Sequence, residues 1–255
     1  MKTFPISLSI FFPAYNEEGN IRQSVETAIS VATLSPFIGE FEILIVNDGS
    51  TDNTLTVARE LAARYSTVRV VDHVVNCGAG AAVKSGIQAA KMDYIFFTDA
   101  DLQFDIVEIQ NLIIHLQKYP VVIGYRSPRQ DPLMRLLNAK AWNFLNRMFF
   151  QLKARDIDCA FKIFRRDVIQ PIELKANGAM MLAEILIRLQ RSHVAIKEVP
   201  VSHFPRVAGS PTGAKLSVIL RAFREMARLF WGDLGLNGNA FRIFTKARTN
   251  VSASY

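Results

Sequence analysis

Hydrophobic and polar positions form two alternating patterns over the first half of the chain, short apolar runs and segments of helical spacing. Short runs rich in β-branched and aromatic residues predict four strands, in ISLSIFF, FEILIVN, TVRVVDHVV and YIFFTDA. Between them, apolar residues recur at helical spacing in EEGNIRQSVETAISVAT, DNTLTVARELAARY and GAAVKSGIQAAKM. Strands that alternate with helices predict βαβ units and an α/β fold with a mostly parallel sheet flanked by helices. Such sheets bind ligands beyond the carboxyl ends of their strands.

The pattern becomes less regular after residue 120. VVIGYRSPRQDPLMR predicts a strand and a basic loop, and FKIFRRDVI predicts a strand with a turn. Helices are predicted in LLNAKAWNFLNRMFFQL, AMMLAEILIRLQRS and KLSVILRAFREMARLFWG. The last helix mixes Arg221, Arg224 and Arg228 with large apolar residues. This mixture is typical both of a helix at a membrane surface and of a helix that packs on a core with solvated arginines.

Composition narrows the classes of protein that this chain can represent. Half of its 255 residues are hydrophobic, which is enough for a large core in one domain. Lys and Arg outnumber Asp and Glu by 30 to 23, so the surface should attract anions such as phosphates and acidic lipid headgroups. The basic residues are dispersed rather than clustered with aromatic platforms, which argues against nucleic-acid binding.

Two further features bear on location. The two cysteines are too few for a disulfide scaffold or a cysteine-rich zinc site, and they predict a reducing compartment such as the cytoplasm. No run approaches the roughly 18 to 20 apolar residues that span a bilayer. Any work at a membrane is therefore expected from its surface.

Carboxylates end two of the predicted strands. Asp99 and Asp101 follow one buried run, and Asp48 ends another. In the turn after a strand, two carboxylates separated by one residue can converge on Mg²⁺ or Mn²⁺, which share coordination with substrate phosphates. Two such aspartates are weak evidence alone, because solvated and helix-capping aspartates are common. Asp52 or Asn53 is a candidate cap of this kind for the following helix.

Four motifs in a fixed order give these aspartates a context: PAYNEEGNI, VNDGSTDNT, NCGAGAAVKSGI and DADLQFD. Together they resemble the family 2 glycosyltransferases of the GT-A fold, a Rossmann-like, mostly parallel sheet flanked by helices. Within that family the chain is most similar to the dolichyl-phosphate mannose synthase and polyprenyl-phosphate glycosyltransferase branch. DIDCAFKIFRRDV and EVPVSHFPRVAGSPTGAK extend the resemblance.

The resemblance implies one GT-A domain over residues 1–232, with a nucleotide-sugar part at 1–120 and an acceptor part at 121–232. Residues 233–255 are expected to form a flexible C-terminal tail, because their periodicity is weak.

The resemblance also implies site residues. A pocket for a UDP- or GDP-linked sugar would be lined by Pro13, Ala14, Tyr15, Glu17, Asp48, Asp99, Ala100, Arg206 and Lys215. Mg²⁺ or Mn²⁺ would be held by Asp99, Asp101 and Gln103, and the catalytic residues would be Asp101, Arg126 and Arg206. Many relatives carry paired aspartates where this chain has Asn47 and Asp48, so Asp48 alone carries that prediction.

The implied reaction is a metal-dependent, inverting transfer of sugar from a nucleotide diphosphate to a polyprenyl (dolichyl-type) phosphate. It would take place at the cytoplasmic face of a membrane, reached directly or through an anchoring partner. A lipid monophosphate has a second pKa of about 6, so it arrives ionised at pH 7 and needs no strong base. It needs cations, and the resemblance places Arg126, Arg129 and Arg135 near it.

Two alternatives stay open. Transfer to a saccharide or protein hydroxyl requires a general base, for which Asp156, Asp158 or Glu184 are candidates. A nucleotide-sugar-binding subunit without turnover is the second alternative, and the intact set of Asp99, Asp101 and Gln103 argues against it.

Three kinds of residue need separate interpretation. Glu184 interrupts an apolar helix face, where an ionised carboxylate needs a partner or a raised pKa, so it is either in a salt bridge with an arginine or part of the chemistry. Gly78 and Gly80 belong to the third motif, but glycine is also common in a tight turn before a helix, so a purely structural role stays open. The four histidines lack metal-ligand spacing and are expected to be surface or packing residues: His73, His115, His193 and His203.

Overall fold

The computed structural model describes residues 4–128, 133–205 and 216–232, with side chains described outside 133–138 and 216–220. Within these residues seven strands form one sheet: β1 (Ile6–Ala14), β2 (Ile38–Asp48), β3 (Val68–His73), β4 (Tyr94–Thr98), β5 (Val121–Arg126), β6 (Phe161–Arg165) and β7 (Ile196–Val201). The strand order is β3-β2-β1-β4-β6-β5-β7. Only β6 runs antiparallel to its neighbours, so the predicted α/β fold with a mostly parallel sheet is confirmed.

Most of the helices lie where the helical spacing of apolar residues predicts them. Their bounds are α1 (Ile21–Leu34), α2 (Thr54–Arg64), α3 (Ala79–Ala89), α4 (Ile109–Ile113), α5 (Leu133–Phe150), α6 (Arg166–Ile169), α7 (Met180–Arg191) and α8 (Leu216–Trp231). A 3₁₀ turn at Ile106–Glu108 precedes α4. No helix within the described ranges is both long and apolar enough to cross a membrane.

The central strand β4 has hydrophobic packing on both faces, because side chains of a strand alternate between the two faces of the sheet. Phe97 stacks on Phe11 at 5.4 Å and on Phe164 at 6.3 Å between ring centroids. Phe96 points to the opposite face and meets Phe161 edge-on at 4.7 Å. All five residues of β4 are buried, as expected for a strand covered by helices on both sides.

Two elements were not predicted from the sequence. The strand β7 lies in a segment for which the sequence pattern predicted no strand, yet it pairs in parallel with β5 at the edge of the sheet. Its polar residues Lys197 and Glu198 and its Pro200 hide the strand pattern, since an edge strand needs neither continuous burial nor every backbone donor. The short helix α4 also escaped prediction.

One edge of the sheet collects the functional motifs. Because β6 runs antiparallel between β4 and β5, the carboxyl ends of the six other strands meet at this edge together with the amino end of β6. The pairing of Thr98 with Phe161 fixes this arrangement, since it places the segment before β6 next to the loop after β4. Residues far apart in sequence therefore line one surface.

Candidate active site

The loop after β4 carries the predicted metal ligands. Asp99 is exposed, whereas Asp101 is only 6% exposed. Leu102 has a φ of 60°, in the left-handed region that costs an L residue about 1 kcal/mol or more. This bend brings the Gln103 amide to the Asp101 carboxylate, to which it donates at 3.2 Å. The carboxylate of Asp101 is thus held inside a strained turn at the edge of the sheet.

Gln103 joins this loop to the chain that follows β7. Its Nε2 atom donates to the carbonyl oxygen of Phe204 at 3.0 Å, and the amide of Phe204 donates to the carbonyl oxygen of Gln103 at 2.9 Å. With the nitrogen used in this way, Oε1 is the acceptor end of the side chain. Two carboxylates and an amide oxygen fit the preference of Mg²⁺ and Mn²⁺ for hard oxygen ligands, so Asp99, Asp101 and Gln103 are suited to hold such an ion.

The loops after β1 and β2 are joined to each other by hydrogen bonds. The amide of Asn16 donates to Ser50 Oγ at 3.0 Å, and the amide of Thr51 donates to Asn16 Oδ1 at 2.8 Å. The amide of Glu17 donates to Thr54 Oγ1 at 2.8 Å. The two motifs PAYNEEGNI and VNDGSTDNT therefore form one connected wall at the edge that also carries the predicted metal ligands.

The predicted nucleotide-binding residues of the first motif lie on this wall with different exposures. Tyr15 is 39% exposed, Pro13 and Glu17 are half-buried, and Ala14 is buried. Glu17 accepts a hydrogen bond from Asn20 Nδ2 at 2.8 Å. Ala100, in the loop after β4, is buried like Ala14.

The first turn of α2 is stabilised by Asp52, whereas the residue at the N-cap position makes no capping hydrogen bond. Asn53 occupies the N-cap position without a side-chain hydrogen bond. Asp52 instead accepts hydrogen bonds from the Thr54 amide at 2.9 Å and from Thr54 Oγ1 at 2.5 Å. Asp52 therefore has a structural role in this motif.

Asp48 is buried at the end of β2, where it organises the loop that follows β3. Its Oδ1 atom accepts from the Cys77 amide and its Oδ2 atom from the Gly78 amide, each at 2.9 Å. His73 Nδ1 lies 2.8 Å from Oδ1. Both carboxylate oxygens of Asp48 are thus engaged by the chain itself. The sequence pattern did not identify His73 as a member of this group, although His73 ends the neighbouring strand.

Two glycines are required where other backbone segments approach closely. Gly49 has a φ of 64°, and a Cβ atom there would lie 2.4 Å from the Asn76 nitrogen. A Cβ atom on Gly80 would lie 2.5 Å from the carbonyl carbon of Asn177, to whose oxygen the Gly80 amide donates at 3.0 Å. Gly80 therefore does more than permit a tight turn, because it lets the segment before α7 pack on the start of α3.

Arg126 ends β5 at the same edge, in the part of the chain that was predicted to bind the acceptor. Its Nε and Nη2 atoms donate to the two oxygens of Asp156 at 2.7 and 2.8 Å. Both side chains are only 7% exposed, so this bidentate pair is desolvated. Asp156, one of the candidate bases, is therefore engaged in orienting the guanidinium group of Arg126.

Asp158 follows two residues later and has a perturbed acidity. Burial, with a further contribution from the Asp156 carboxylate, raises the pKa of Asp158 to about 6. Lys162 is fully buried below this segment, and its Nζ atom donates to the carbonyl oxygens of Ile157 at 3.2 Å and of Cys159. Burial also lowers the pKa of Lys162. The lysine thus holds the loop that presents both aspartates.

Glu184 has the salt bridge that its sequence context required. It is fully buried, and its carboxylate accepts from the amides of Lys175 and Ala176 and from Arg188, whose Nη2 atom lies 2.6 Å from Oε1. This set of donors occupies both carboxylate oxygens and ties the segment before α7 to the helix. The contacts account for Glu184 as a structural residue and leave no reason to assign it as a base.

Four predicted residues cannot be placed in the site. Arg129, Arg206 and Lys215 lie outside the described residues, and Arg135 lies in α5 where side chains are not described.

Comparison with curated proteins finds relatives that act on lipid phosphates by name. The dodecaprenyl-phosphate galacturonate synthase of Rhizobium johnstonii is 31% identical over 208 residues, which cover 80% of this chain and 61% of that protein. The dolichyl-phosphate beta-glucosyltransferase of Saccharomyces cerevisiae is 30% identical over 223 residues, covering 77% and 66%. The glycosyltransferase AglD of Haloferax volcanii is 29% identical over 89% of this chain, which spans 37% of its length. The chain thus spans less than two thirds of each of these relatives.

Solved structures confirm the fold. Glucosyl-3-phosphoglycerate synthase from Mycobacterium tuberculosis, in complex with Mn²⁺, UDP and phosphoglyceric acid, matches with a TM-score of 0.67 and 18% identity over 88% of this chain and 78% of that chain. The profile of glycosyl transferase family 2 matches residues 9–172. The chain therefore belongs to glycosyl transferase family 2, as its four motifs predict.

Proposed function

We propose that this protein is a metal-dependent, inverting glycosyltransferase that moves a sugar from a nucleotide diphosphate to a polyprenyl phosphate at a membrane surface. The observation that carries the proposal is the meeting, at one sheet edge, of the oxygen donors after β4 with the loops after β1 and β2 and with Arg126 at the end of β5. Family membership and the names of the relatives support the reaction class.

The donor is a UDP- or GDP-linked sugar in this proposal. The wall built by the loops after β1 and β2 receives the nucleoside, with Tyr15 as an exposed ring on its surface. Asp48 keeps the loop at Cys77 and Gly78 in place beside it. The structural neighbour is in complex with UDP, which supports a UDP-linked donor.

Asp99, Asp101 and Gln103 would hold Mg²⁺ or Mn²⁺ against the diphosphate, and Arg206 and Lys215 would add positive charge. A bound divalent cation neutralises charge that develops on the leaving nucleotide diphosphate. Asp101 is kept in place for this role by the turn at Leu102, and Gln103 by its bonds to Phe204. These residues therefore bind and orient the leaving group.

The acceptor is a lipid phosphate, whose ionised oxygen attacks the sugar carbon from the face opposite the leaving group. Arg126, oriented by Asp156, is the residue proposed to meet the acceptor phosphate. A phosphate already ionised at pH 7 requires no deprotonation, which agrees with the engagement of Asp156 by Arg126. Direct displacement inverts the anomeric carbon.

The acceptor half also carries an apolar and basic surface that suits a membrane. Five of its exposed large side chains lie on α5 and α8: Phe144, Met148, Phe149, Phe223 and Trp231. Ring contacts link the two helices, with Phe149 and Phe230 5.5 Å apart. Arg224 and Arg228 are exposed on α8. Aromatic burial combined with attraction of arginine to anionic headgroups is the chemistry of interfacial binding.

The experiment offers polyprenyl phosphate with UDP-glucose, UDP-galacturonate and GDP-mannose in turn, with Mg²⁺ or Mn²⁺ present. We expect one donor to give a lipid-linked product of inverted anomeric configuration by NMR. A product with retained configuration would contradict direct displacement, and binding of nucleotide sugar without turnover would favour a non-catalytic subunit.

A second candidate is transfer to a hydroxyl, as the name glucosyl-3-phosphoglycerate synthase implies for the structural neighbour. Asp158 favours it, because a carboxylate with a pKa of about 6 is matched to general-base work near neutral pH. Saccharide and small phosphorylated acceptors offered in the same assay separate the two functions.

A further inference from the structure

Three kinds of metal donor meet at the carboxyl ends of β2 and β3. The strand register pairs Asp48 with His73, and the following loop returns Cys77 to them. One carboxylate oxygen, one imidazole nitrogen and the thiol sulfur of these residues all lie within 4.8 Å of one another. We propose that Asp48, His73 and Cys77 form a site for a thiophilic divalent cation of the Zn²⁺ type.

The surroundings of His73 prepare it as a ligand. Its Nε2 atom lies 2.8 Å from Ser85 Oγ, so the hydroxyl can accept the Nε2 proton while Nδ1 faces Asp48. Metal-binding histidines commonly donate their second ring nitrogen in this way, which fixes the tautomer and the ring plane. An ion would take the place of the proton between Nδ1 and Asp48 Oδ1. The distance between Nδ1 and Oδ1 would then increase from 2.8 Å to about 3.3 Å. This is the separation of two ligand atoms that each lie about 2 Å from a tetrahedral ion.

Asp48 is also held in position as a ligand. The amides of Cys77 and Gly78 hold its carboxylate, and a carboxylate oxygen can accept an amide hydrogen bond and still ligate a cation. Three protein ligands leave a fourth tetrahedral position for water or another ligand, as in open zinc sites.

The donor set separates this site from the one proposed after β4. Thiolate and imidazole favour Zn²⁺ and similar ions, whereas the oxygen atoms of Asp99, Asp101 and Gln103 favour Mg²⁺ and Mn²⁺. Cys77 is exposed and accessible to such an ion. Cys159 is buried, and burial raises its pKa to about 12, so its thiol does not compete.

The site has a consequence that rests on the proposed function. Asp48 and the loop at Cys77 border the proposed nucleotide pocket, so an ion held here and the nucleotide would exclude one another. Zn²⁺ would then act as a competitive inhibitor of donor binding, whereas Mg²⁺ and Mn²⁺ support turnover.

Cobalt(II) serves as the probe, because its bond to a thiolate gives a charge-transfer absorption band in the near ultraviolet. We expect the metal-free protein to develop this band on titration with Co²⁺ and to lose it when Zn²⁺ is added. Cys77→Ser should abolish the band, and His73→Gln should weaken Co²⁺ binding at least about tenfold. Cys159→Ala is the matched control and should keep the band. Absence of the band in the parent protein, or its persistence in a folded Cys77→Ser variant, overturns the proposal.

Titrations with UDP test the metal site and the proposed function separately. Addition of UDP without Mg²⁺ or Mn²⁺ should reduce the apparent Co²⁺ affinity, with UDP binding measured separately by calorimetry. A band that is unaffected at saturating UDP contradicts the exclusion of one ligand by the other. Failure of UDP and of GDP to bind the metal-free or the Mn²⁺-loaded protein counts against the proposed function, while the cobalt band still supports the site.

Discussion

Gln103 and Phe204 are joined by two hydrogen bonds although they lie 101 residues apart in sequence. One bond uses the side-chain amide of Gln103 and the other uses its backbone carbonyl. The loop after β4 and the chain after β7 are thereby fixed to each other. Because Arg206 follows Phe204 by two residues, this link joins the proposed metal ligands to the segment that leads to the proposed diphosphate-binding arginine.

This link predicts the effect of Gln103→Glu. The change keeps an oxygen ligand for the cation but replaces the donor to Phe204 by an acceptor, which would repel the carbonyl. We expect Mn²⁺ affinity to be kept while kcat falls about tenfold or more, because positioning is lost. Steady-state kinetics and Mn²⁺ titration measure the two quantities. Gln117→Glu, at an exposed position, should change neither; unaltered kcat in Gln103→Glu would show that the link is dispensable.

Asp158 predicts a pH-dependent stability. Its pKa of about 6 lies above the ordinary value of 3.8, so the folded protein binds the proton more tightly than the unfolded chain. The resulting destabilisation is absent below about pH 4, grows between pH 4 and 6, and is full above pH 6. Asp158→Asn should therefore raise the unfolding free energy by roughly 1–3 kcal/mol at pH 8, and the gain should vanish towards pH 4. Urea unfolding at several pH values checks this, and a gain independent of pH would refute it.

Glu184 predicts a loss of stability rather than of chemistry. Glu184→Gln removes the buried charge opposite Arg188 and turns amide hydrogens towards backbone donors. We expect a cost of about 3 kcal/mol, because breaking a buried ion pair leaves the other charge uncompensated. Thermal unfolding measures it, with exposed Glu173→Gln as the control expected to cost little. A normal melting temperature combined with lost turnover would instead make Glu184 a catalytic residue.

The surface of α5 and α8 predicts salt-dependent membrane binding. The protein should co-sediment with anionic liposomes at low salt and much less at high salt, because screening weakens the attraction of its arginines. Arg224→Gln with Arg228→Gln should weaken binding several-fold without changing UDP affinity.

Arg221 is left intact in this variant because its side chain lies close to Gly78 and Gly178, near the donor half. Arg59→Gln with Arg64→Gln removes the same charge from the helix α2 and is the matched control. Equal loss of binding in both double variants would mean that net charge, rather than this surface, is responsible. Absence of binding at any salt concentration would point to an anchoring partner.

The sequence contained enough to predict the parallel sheet and the edge where the site lies. Short apolar runs placed β1 to β4, helical spacing of apolar residues placed the intervening helices, and strand ends placed Asp48, Asp99 and Asp101 at one edge. These features are local, because each depends on a short run of residues. Glu184 was also interpretable, since burial of a carboxylate requires a partner wherever it lies.

Features that depend on long-range pairing escaped prediction. Spacing along the chain separates His73 from Asp48 by 25 residues, and only the register of β2 with β3 brings them together. Likewise, 30 residues separate Arg126 from Asp156, which meet because β6 returns beside β5. The sequence pattern shows which residues end strands, but strand order decides which of them touch.

The most direct test of the central claim is turnover by Asp101→Asn with the preferred nucleotide sugar and polyprenyl phosphate. Loss of one carboxylate charge from a nearly isosteric side chain should reduce Mn²⁺-dependent formation of the lipid-linked sugar at least about a hundredfold, because the cation at the diphosphate is held less tightly. The circular dichroism spectrum should stay unchanged. Wild-type-like, Mn²⁺-dependent rates in a folded Asp101→Asn protein would contradict the claim that this carboxylate binds the metal for sugar transfer.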